Sequence, residues 1–299
     1  MTTDARYCDL HCHSTASDGS LPPAEVVQLA QRSGVSAMSL TDHDTIAGIA
    51  DAAAEAARLG IDFISGIEIS CEFRSPGTLH LLGYGVDPQS EDLQALTRQL
   101  IEARDNRNPQ MIAKLNAAGI AVTMDEWEQE AGGNGVGRPH LAQILIRKGH
   151  VRSVKDAFDK FLGQGGLAYF DKERLPARRA IELIRQSGGI CVLAHPVQLR
   201  CGNDAELETI VKSLVDQGLA GIEVMHSDHD ARQITLCTQL AERFGLLNTG
   251  GSDYHGRSKK AIDFGFCGGK RIPRAFFDAV VKRCSHDRRT RHTRVQRTV

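Results

Sequence analysis

No apolar run in this sequence approaches the roughly 18 residues that a membrane-spanning helix needs. The N-terminal MTTDARYCDLHCHS also lacks the basic-then-apolar pattern of a leader peptide, so a cytoplasmic protein with no membrane partner is expected. Net charge is nearly absent: 36 Lys and Arg against 37 Asp and Glu leave −1. That excludes a chain-wide polycation, and no DNA-specific partner is expected. There is no CxxC pair. Cys8, Cys12, Cys71, Cys191, Cys201, Cys237, Cys267 and Cys284 are scattered, mostly among apolar residues. Buried free thiols are therefore expected in place of disulfides or a thiolate zinc site. No internal repeat and no redox-cofactor fingerprint are present.

What the sequence does have is alternation. Tyr7–His13 reads as a strand, and a helix follows from Pro22–Pro23 to just before Gly34, with proline opening and glycine closing it. Ser36–Leu40 reads as a strand and the alanine-rich stretch Ala47–Leu59 as a helix. Ile61–Ile69 and Thr78–Gly83 are further apolar runs. Helix Ala177–Gln186 leads to strand Ile190–Ala194, helix Glu206–Gln217 to strand Gly221–Met225, and helix Ala231–Phe244 to strand Leu246–Gly250. Repeated strand–helix units predict an α/β fold with parallel strands and helical crossovers, as a barrel in preference to an open sheet. Residues 92–166 break the pattern with charged, helical sequence and a glycine-rich stretch at Gly132–Gly137. They read as a helical insertion or lid, leaving a discontinuous barrel of residues 1–91 and 167–282. The final residues 283–299 include Arg288, Arg289, Arg291, Arg294 and Arg297 with little that is apolar. A frayed basic tail is expected there, ahead of an RNA-binding arm.

Histidines and carboxylates fall where these strands end. The first strand closes on Asp9-Leu10-His11-Cys12-His13, and a side-chain period of two puts His11 and His13 on one face. Asp18 follows in the loop. The second strand runs into Thr41-Asp42-His43-Asp44, the third carries Glu68 and the fourth His80. Later strands run into His195-Pro196, into His226, and into Ser252-Asp253-Tyr254-His255. Active sites of α/β barrels gather at the C-terminal strand ends. Each residue alone has a plain structural explanation, such as Glu68 pairing with Arg74, or Asp44 and Thr45 capping a helix. Recurrence on seven successive strands is what a polynuclear metal site requires and a structural role does not. Six histidines (His11, His13, His43, His80, His195, His255) and three carboxylates (Asp18, Glu68, Asp253) exceed what one first-row ion can hold, so two or three ions are expected. Imidazole with carboxylate and no thiolate suits Mn²⁺, Zn²⁺ or Fe²⁺ over Ca²⁺ and Mg²⁺. Clustered divalent ions serve hydrolysis by activating water and neutralising a phosphate-like transition state.

The segments DLHCHSTASDGS, TDHDT, GIEIS, HLLGYG, AHP and GSDYH together resemble the ordered motifs of the PHP (polymerase and histidinol phosphatase) superfamily, across nearly the whole chain. GVGRPHLA and IEVMHSDHD resemble the branch that dephosphorylates 3′,5′-nucleoside bisphosphates, some members of which are 5′–3′ exoribonucleases on short RNA. The resemblance implies a distorted seven-stranded (β/α) barrel with a helical insertion over the site. It also implies three ions: one on His11, His13, Glu68 and Asp253, a second on bridging Glu68, His80 and His195, and a third on Asp18, His43 and His255. Several family members carry histidine where this chain has Asp18. The harder aspartate favours manganese there, with zinc as the alternative.

Further expectations concern substrate. Glu68 and Asp253 belong to the catalytic metal site, with Glu68 as bridge. Arg138, in Gly137-Arg138-Pro139-His140, is expected to grip a phosphate oxygen, since guanidinium offers two parallel donors. A solvent-facing arginine at a helix start is the plainer alternative. Arg104 and Asn108, one helical turn apart, and Asp18 are further candidates for the substrate pocket. His226 and His229 are candidates either to protonate the leaving oxygen or to hydrogen-bond the nucleotide. The expected activity is release of the 5′-phosphate of a 3′,5′-nucleoside bisphosphate, with short RNA as a further substrate. Histidinol-phosphate phosphatase would use nearly the same metal set, and the GRPH element speaks against it. A proofreading nuclease is disfavoured because no polymerase is attached. A non-catalytic RNA-binding or regulatory module would have lost ligands, and none is missing.

Overall fold

A computed structural model describes residues 6–74, 76–132, 136–171, 174–259 and 262–295, with side chains to residue 289 except at 258. The first half-barrel comprises β1 (Tyr7–Asp9), α1 (Pro23–Arg32), β2 (Val35–Leu40), α2 (Ile49–Leu59), β3 (Asp62–Cys71) and β4 (Leu79–Tyr84). An inserted helical unit follows: α3 (Glu91–Ala117), α4 (Met124–Ala131), α5 (Arg138–Arg147) and α6 (Val154–Ala157), which runs into a π-helical turn, Phe158–Leu162. The second half returns with α7 (Ala177–Gln186), β5 (Ile190–Leu193), α8 (Asp204–Gln217), β6 (Gly221–His226), α9 (Ala231–Phe244) and β7 (Leu247–Gly251). A small hairpin, β8 (Phe266–Cys267) and β9 (Lys270–Arg271), precedes α10 (Arg274–Val295).

The seven strands lie in sequence order, β1 to β7. The sheet curls round so that Leu10 N donates to Gly250 O (3.1 Å) and Asp253 N to His11 O (2.8 Å). Closure demands a close approach. A Cβ on Gly251 would lie 2.1 Å from the Cβ of His11, so only glycine lets β7 pass there. Every residue of β5 and β6 is buried, as strands between a filled barrel and a helical coat must be. One expectation needs correction: β4 is antiparallel to both β3 and β5. A parallel return needs a crossover of a dozen or more residues, and the link from Cys71 to Leu79 is too short for one. β4 therefore enters from the rim where β3 leaves.

The insertion has its own apolar core, built by Met111, Leu115, Trp127, Leu141, Ile144 and Leu145. Its first helix serves both units: Leu93, Leu96 and Leu100 of α3 pack in the barrel core, so the two units divide partway along α3. The C-terminal segment also differs from expectation. α10 runs unbroken through residue 295, burying Phe277, Val280 and Cys284 against the barrel, and Arg288 Nη2 donates to Gly85 O at 2.6 Å. Apolar residues spaced along one face hold the helix down, and residues 296–299, with Arg297, lie outside the described residues. Among the described residues no helix is long and apolar enough to cross a membrane.

Candidate metal centre and substrate cavity

Each ligand candidate reaches the same rim, and buried carboxylates hold the loops that carry them. Asp9 fastens the end of β1 to the end of β7, accepting from Ser252 N (3.0 Å), Ser252 Oγ (2.5 Å) and Gly265 N (2.8 Å). Asp42 folds the next loop inward by accepting from Ser14 N (2.7 Å) and Ser17 Oγ (2.5 Å), which sets Asp18 over His13. Asp44 caps no helix. It accepts from Ser70 N (2.9 Å) and ties the His43 loop to β3, whereas α2 begins after Gly48. Arg74 pairs with Glu206, leaving Glu68 to the interior, where it is fully buried.

Glu68 is the centre of the arrangement. Its Oε2 lies 3.3 Å from both His11 Nε2 and His13 Nε2. Asp253 Oδ1 is 3.5 and 3.2 Å from the same two nitrogens. The other oxygen, Oε1, is 2.9 Å from His80 Nδ1 and 2.8 Å from His195 Nε2. Beside them Asp18 Oδ1 is 3.3 Å from His255 Nε2, and Asp18 Oδ2 is 4.0 Å from His43 Nε2. All nine expected ligand side chains are thus brought together in three adjoining groups. His43 Nδ1, at 2.9 Å from Glu68 Oε2, joins two of them.

The donors fit divalent cations. Among the described residues, His11 Nε2, both ring nitrogens of His13, His43 Nδ1 and Glu68 Oε2 are buried outside any well-formed hydrogen bond, although several of them crowd one another at 2.9–3.3 Å. Polar atoms are seldom abandoned in this way unless something else binds them. Burial alone would raise the Glu68 carboxyl, yet His43, His11 and His80 around it hold it well below the usual carboxylate range. Asp253 and Asp18 are likewise held low against burial, the first chiefly by Lys259 and His255, the second by His255 and His43. Burial pushes His80 down to about 4 and lowers His195 too, leaving neutral imidazoles with a lone pair to give. Against burial, Glu223 and Glu68 raise His11 well above its usual value, and Asp253 and Glu68 raise His13 to about 10. A cation bound among Asp18, Glu68 and Asp253 would take the place of protons on those rings. Strain gathers here as well: the described non-glycine residues with positive φ are Asp44, His195, Arg200 and Asp253. Three of these are ligand candidates or their neighbours.

Two supporting residues escape sequence reasoning. Glu223 of β6 is fully buried, its Oε1 3.1 Å from His11 Nδ1, and its Oε2 accepts from the His195 backbone N at 2.7 Å. A charge inside the apolar run Gly221-Ile222-Glu223-Val224-Met225 is the one signal that marks it. Lys259 Nζ donates to Asp253 Oδ2 at 2.7 Å, and nothing in its local sequence announces that.

Between barrel and insertion lies a cavity of about 520 Å³. Asp18, His43 and His80 line its floor, and Arg104, Arg107, Arg138 and Arg174 its upper wall. Arg138 lines the cavity, with Nη1 donating to Leu162 O (3.0 Å) and its guanidinium over the rings of Phe158 and Tyr169. Arg104 is partly committed elsewhere, 3.4 Å from both Asp44 Oδ2 and His43 O. Asn108 does not line the cavity. Its Oδ1 accepts from Arg107 (2.7 Å) and its Nδ2 donates to Val136 O (3.2 Å), so it steers the arginine beside it. Arg107 is the residue the sequence does not single out.

His226 and His229 are not positioned as cavity acids. His226 Nδ1 accepts from Asp228 N (3.0 Å) and its Nε2 faces Asp253 Oδ2 (3.2 Å), so both nitrogens are engaged. His229 lines a separate cleft, and its Nδ1 is spent on Val224 O at 3.0 Å.

The sequence and fold are similar to those of several known proteins. A 3′,5′-nucleoside bisphosphate phosphatase of Chromobacterium violaceum is 35% identical over 260 residues, 86% of this chain and 90% of that protein. A 5′-3′ exoribonuclease of Haemophilus influenzae is 36% identical over 250 residues, 83% and 89% of the two chains. A phosphoribosyl 1,2-cyclic phosphate 1,2-diphosphodiesterase of Eggerthella lenta is 33% identical, covering 86% of this chain and 97% of that one. A crystal structure described as a putative metal-dependent phosphoesterase, from Bifidobacterium adolescentis, superimposes with a TM-score of 0.81 at 27% identity, covering 93% and 96%. The family model described as the PHP domain matches residues 9–227, which carry all but the last two of the ligand candidates. The chain belongs to the PHP domain family and is one of its phosphoester hydrolases.

Proposed function

We propose that this phosphoesterase acts on substrates with two phosphates flanking one ribonucleoside: a 3′,5′-nucleoside bisphosphate, or the 5′-phosphorylated end of a short RNA. The observation that carries the reading is the pair Arg107 and Arg138. Neither guanidinium has a carboxylate partner among the described residues, and both face the cavity beside the metal ligands. Burial, together with the nearby Arg138 and Arg104, lowers Arg107 to about 9, and burial with Arg174 also lowers Arg138. Buried like charges in one wall destabilise each other, and a phosphate dianion between them would relieve that. A monophosphate at the metals would leave this wall empty, which disfavours histidinol phosphate.

The chemistry divides between the two ends of the cavity. His11, His13, Glu68 and Asp253 would hold one divalent ion, Glu68 with His80 and His195 a second, and Asp18, His43 and His255 a third. When bound, such ions supply an activated water and neutralise charge on the phosphoryl group, with Mn²⁺ favoured by the harder Asp18 donor. Glu223 orients the His11 ring, and His226 with Lys259 orients Asp253. Arg107 and Arg138 grip the phosphate that does not react.

The two relatives' names support one register of binding. An exoribonuclease working 5′ to 3′ first breaks an ester on the 3′ side of the terminal nucleoside. The same binding mode on a 3′,5′-bisphosphate makes the 5′-phosphate the handle and the 3′-phosphate the leaving unit. This reverses the expectation from sequence that the 5′-phosphate departs. Water forms the new P–O bond, the P–O3′ bond breaks, and a proton ends on the 3′ oxygen. The test is phosphate release by Mn²⁺-loaded protein from adenosine 3′,5′-bisphosphate, 3′-AMP, 5′-AMP and histidinol phosphate, with the nucleotide product identified by chromatography. The bisphosphate should be preferred and should yield 5′-AMP. Preference for histidinol phosphate, or a 3′-AMP product, would refute the reading.

A further inference from the structure

A second cleft opens on the other side of the Pro196–Leu199 turn, immediately after the ligand candidate His195. It measures about 240 Å³, below the roughly 300 Å³ at which sites for whole drug-sized ligands begin, so it suits one moiety of a longer ligand. Pro196, Val197, Leu207, Leu236 and Cys237 give it an apolar side, and Asn203, Gln233, the Asp204–Arg232 ion pair and His229 give it a polar one. Val224 O can only accept, so His229 Nδ1 carries the proton in its 3.0 Å bond to that carbonyl. Nε2 is then a bare acceptor. It is buried, on a residue only 3% exposed, and has no partner among the described residues. Arg200 is exposed, held at φ +50°, and lines both this cleft and the larger cavity.

We propose that this cleft binds the second nucleoside of a 5′-phosphorylated RNA, with Arg200 on the ridge accompanying the strand from one cavity to the other. The inference rests on the function proposed above and adds to it what lies beyond the scissile phosphate. The apolar side of the cleft receives the face of a base or sugar, and the His229 acceptor answers a hydroxyl or amine hydrogen of that nucleoside. In the bond-breaking step the phosphorus keeps its link to the second nucleoside. Water joins phosphorus, the 3′ oxygen of the first nucleoside leaves with a proton, and the shortened strand carries a new 5′-phosphate. A free bisphosphate uses the larger cavity alone.

The experiment compares kcat/KM for a 5′-phosphorylated diadenylate and for adenosine 3′,5′-bisphosphate with Mn²⁺-loaded enzyme. Wild type should turn over both. Leu236→Trp, which fills the cleft from α9, should lower the diadenylate value by about tenfold or more and leave the bisphosphate value within about twofold. Arg200→Glu, on the exposed ridge where folding is not at stake, should lower the ratio of the two values in the same direction. A ratio unchanged in both variants, or a wild type active on the bisphosphate but not on the diadenylate, overturns the cleft assignment alone. A wild type inactive on both overturns the proposed function and the cleft with it.

Discussion

Glu223 stands directly behind His11, its carboxylate 3.1 Å from Nδ1, so that Nε2 of the same ring is turned toward Glu68 at 3.3 Å. A proton held between Glu223 and Nδ1 selects the tautomer whose Nε2 lone pair faces inward. The same Glu223 accepts from the His195 backbone, so one buried carboxylate positions members of two ligand groups.

Removing Glu223 should therefore act on metal retention before anything else. Glu223→Ala is expected to weaken Mn²⁺ binding by about 10–100-fold, the range seen when such supporting partners are lost. Glu223→Gln keeps an acceptor for Nδ1 and should recover part of the loss. Competition with a chelating dye measures it, and unchanged affinity in Glu223→Ala would show that His11 is held by packing alone.

Glu68 should be less forgiving. Glu68→Ala removes the carboxylate shared by two ligand groups, and metal affinity should fall by more than the roughly 100-fold ceiling for a supporting residue. The barrel should remain folded by circular dichroism, since its closure rests on backbone bonds and apolar packing. Full metal content with normal turnover would remove Glu68 from the centre.

Arg107 offers a prediction with opposite signs in two assays. Arg107→Met should cost about 10–100-fold in kcat/KM for a bisphosphate, corresponding to a lost charge-assisted hydrogen bond of about 1.5–3 kcal/mol. Phosphate-free protein should melt higher, because a buried cation crowded by other guanidiniums has gone. Loss of activity together with a lower Tm would mean that Arg107 supports the fold and not the ligand.

The insertion can be followed by itself because Trp127 is the only tryptophan in the chain and lies in the core of that unit. Leu141→Ala should destabilise this unit by about 2–5 kcal/mol, as buried leucine truncations do. Trp127 fluorescence should then change at lower denaturant than the far-ultraviolet signal of the barrel. Coincident transitions would show that barrel and insertion unfold as one.

Metal removal should be visible in stability too. Three buried carboxylates are brought close together at the rim, and a cation that binds only the folded chain stabilises it. Mn²⁺ at a hundred times its Kd should add about 2.7 kcal/mol. A Tm unaffected by Mn²⁺ in chelator-treated protein would contradict a preformed site.

The sequence by itself determined the ligand inventory and most of the barrel, because both depend on short-range order. His11 and His13 share a face by the two-residue period of an extended chain. Helices Ala177–Gln186 and Ala231–Phe244 end where their apolar periodicity and flanking residues end, and the structure has them at those bounds. Tertiary structure decided what depends on direction and on distant partners. His80 sits near the start of β4, and it meets Glu68 only because β4 runs antiparallel and begins at the rim where the other ligands finish. A period of two is the same read in either direction, so strand polarity leaves no mark in the pattern. Arg107 and Arg138 come from different helices of the insertion, and which guanidinium lacks an anion is settled by the folding of the chain between them. His226 and His229 stand three positions apart in the sequence, yet one is locked between Asp228 and Asp253 and the other faces a different cleft. Spacing along a chain fixes neighbours, and only packing decides which atoms of those neighbours are left free.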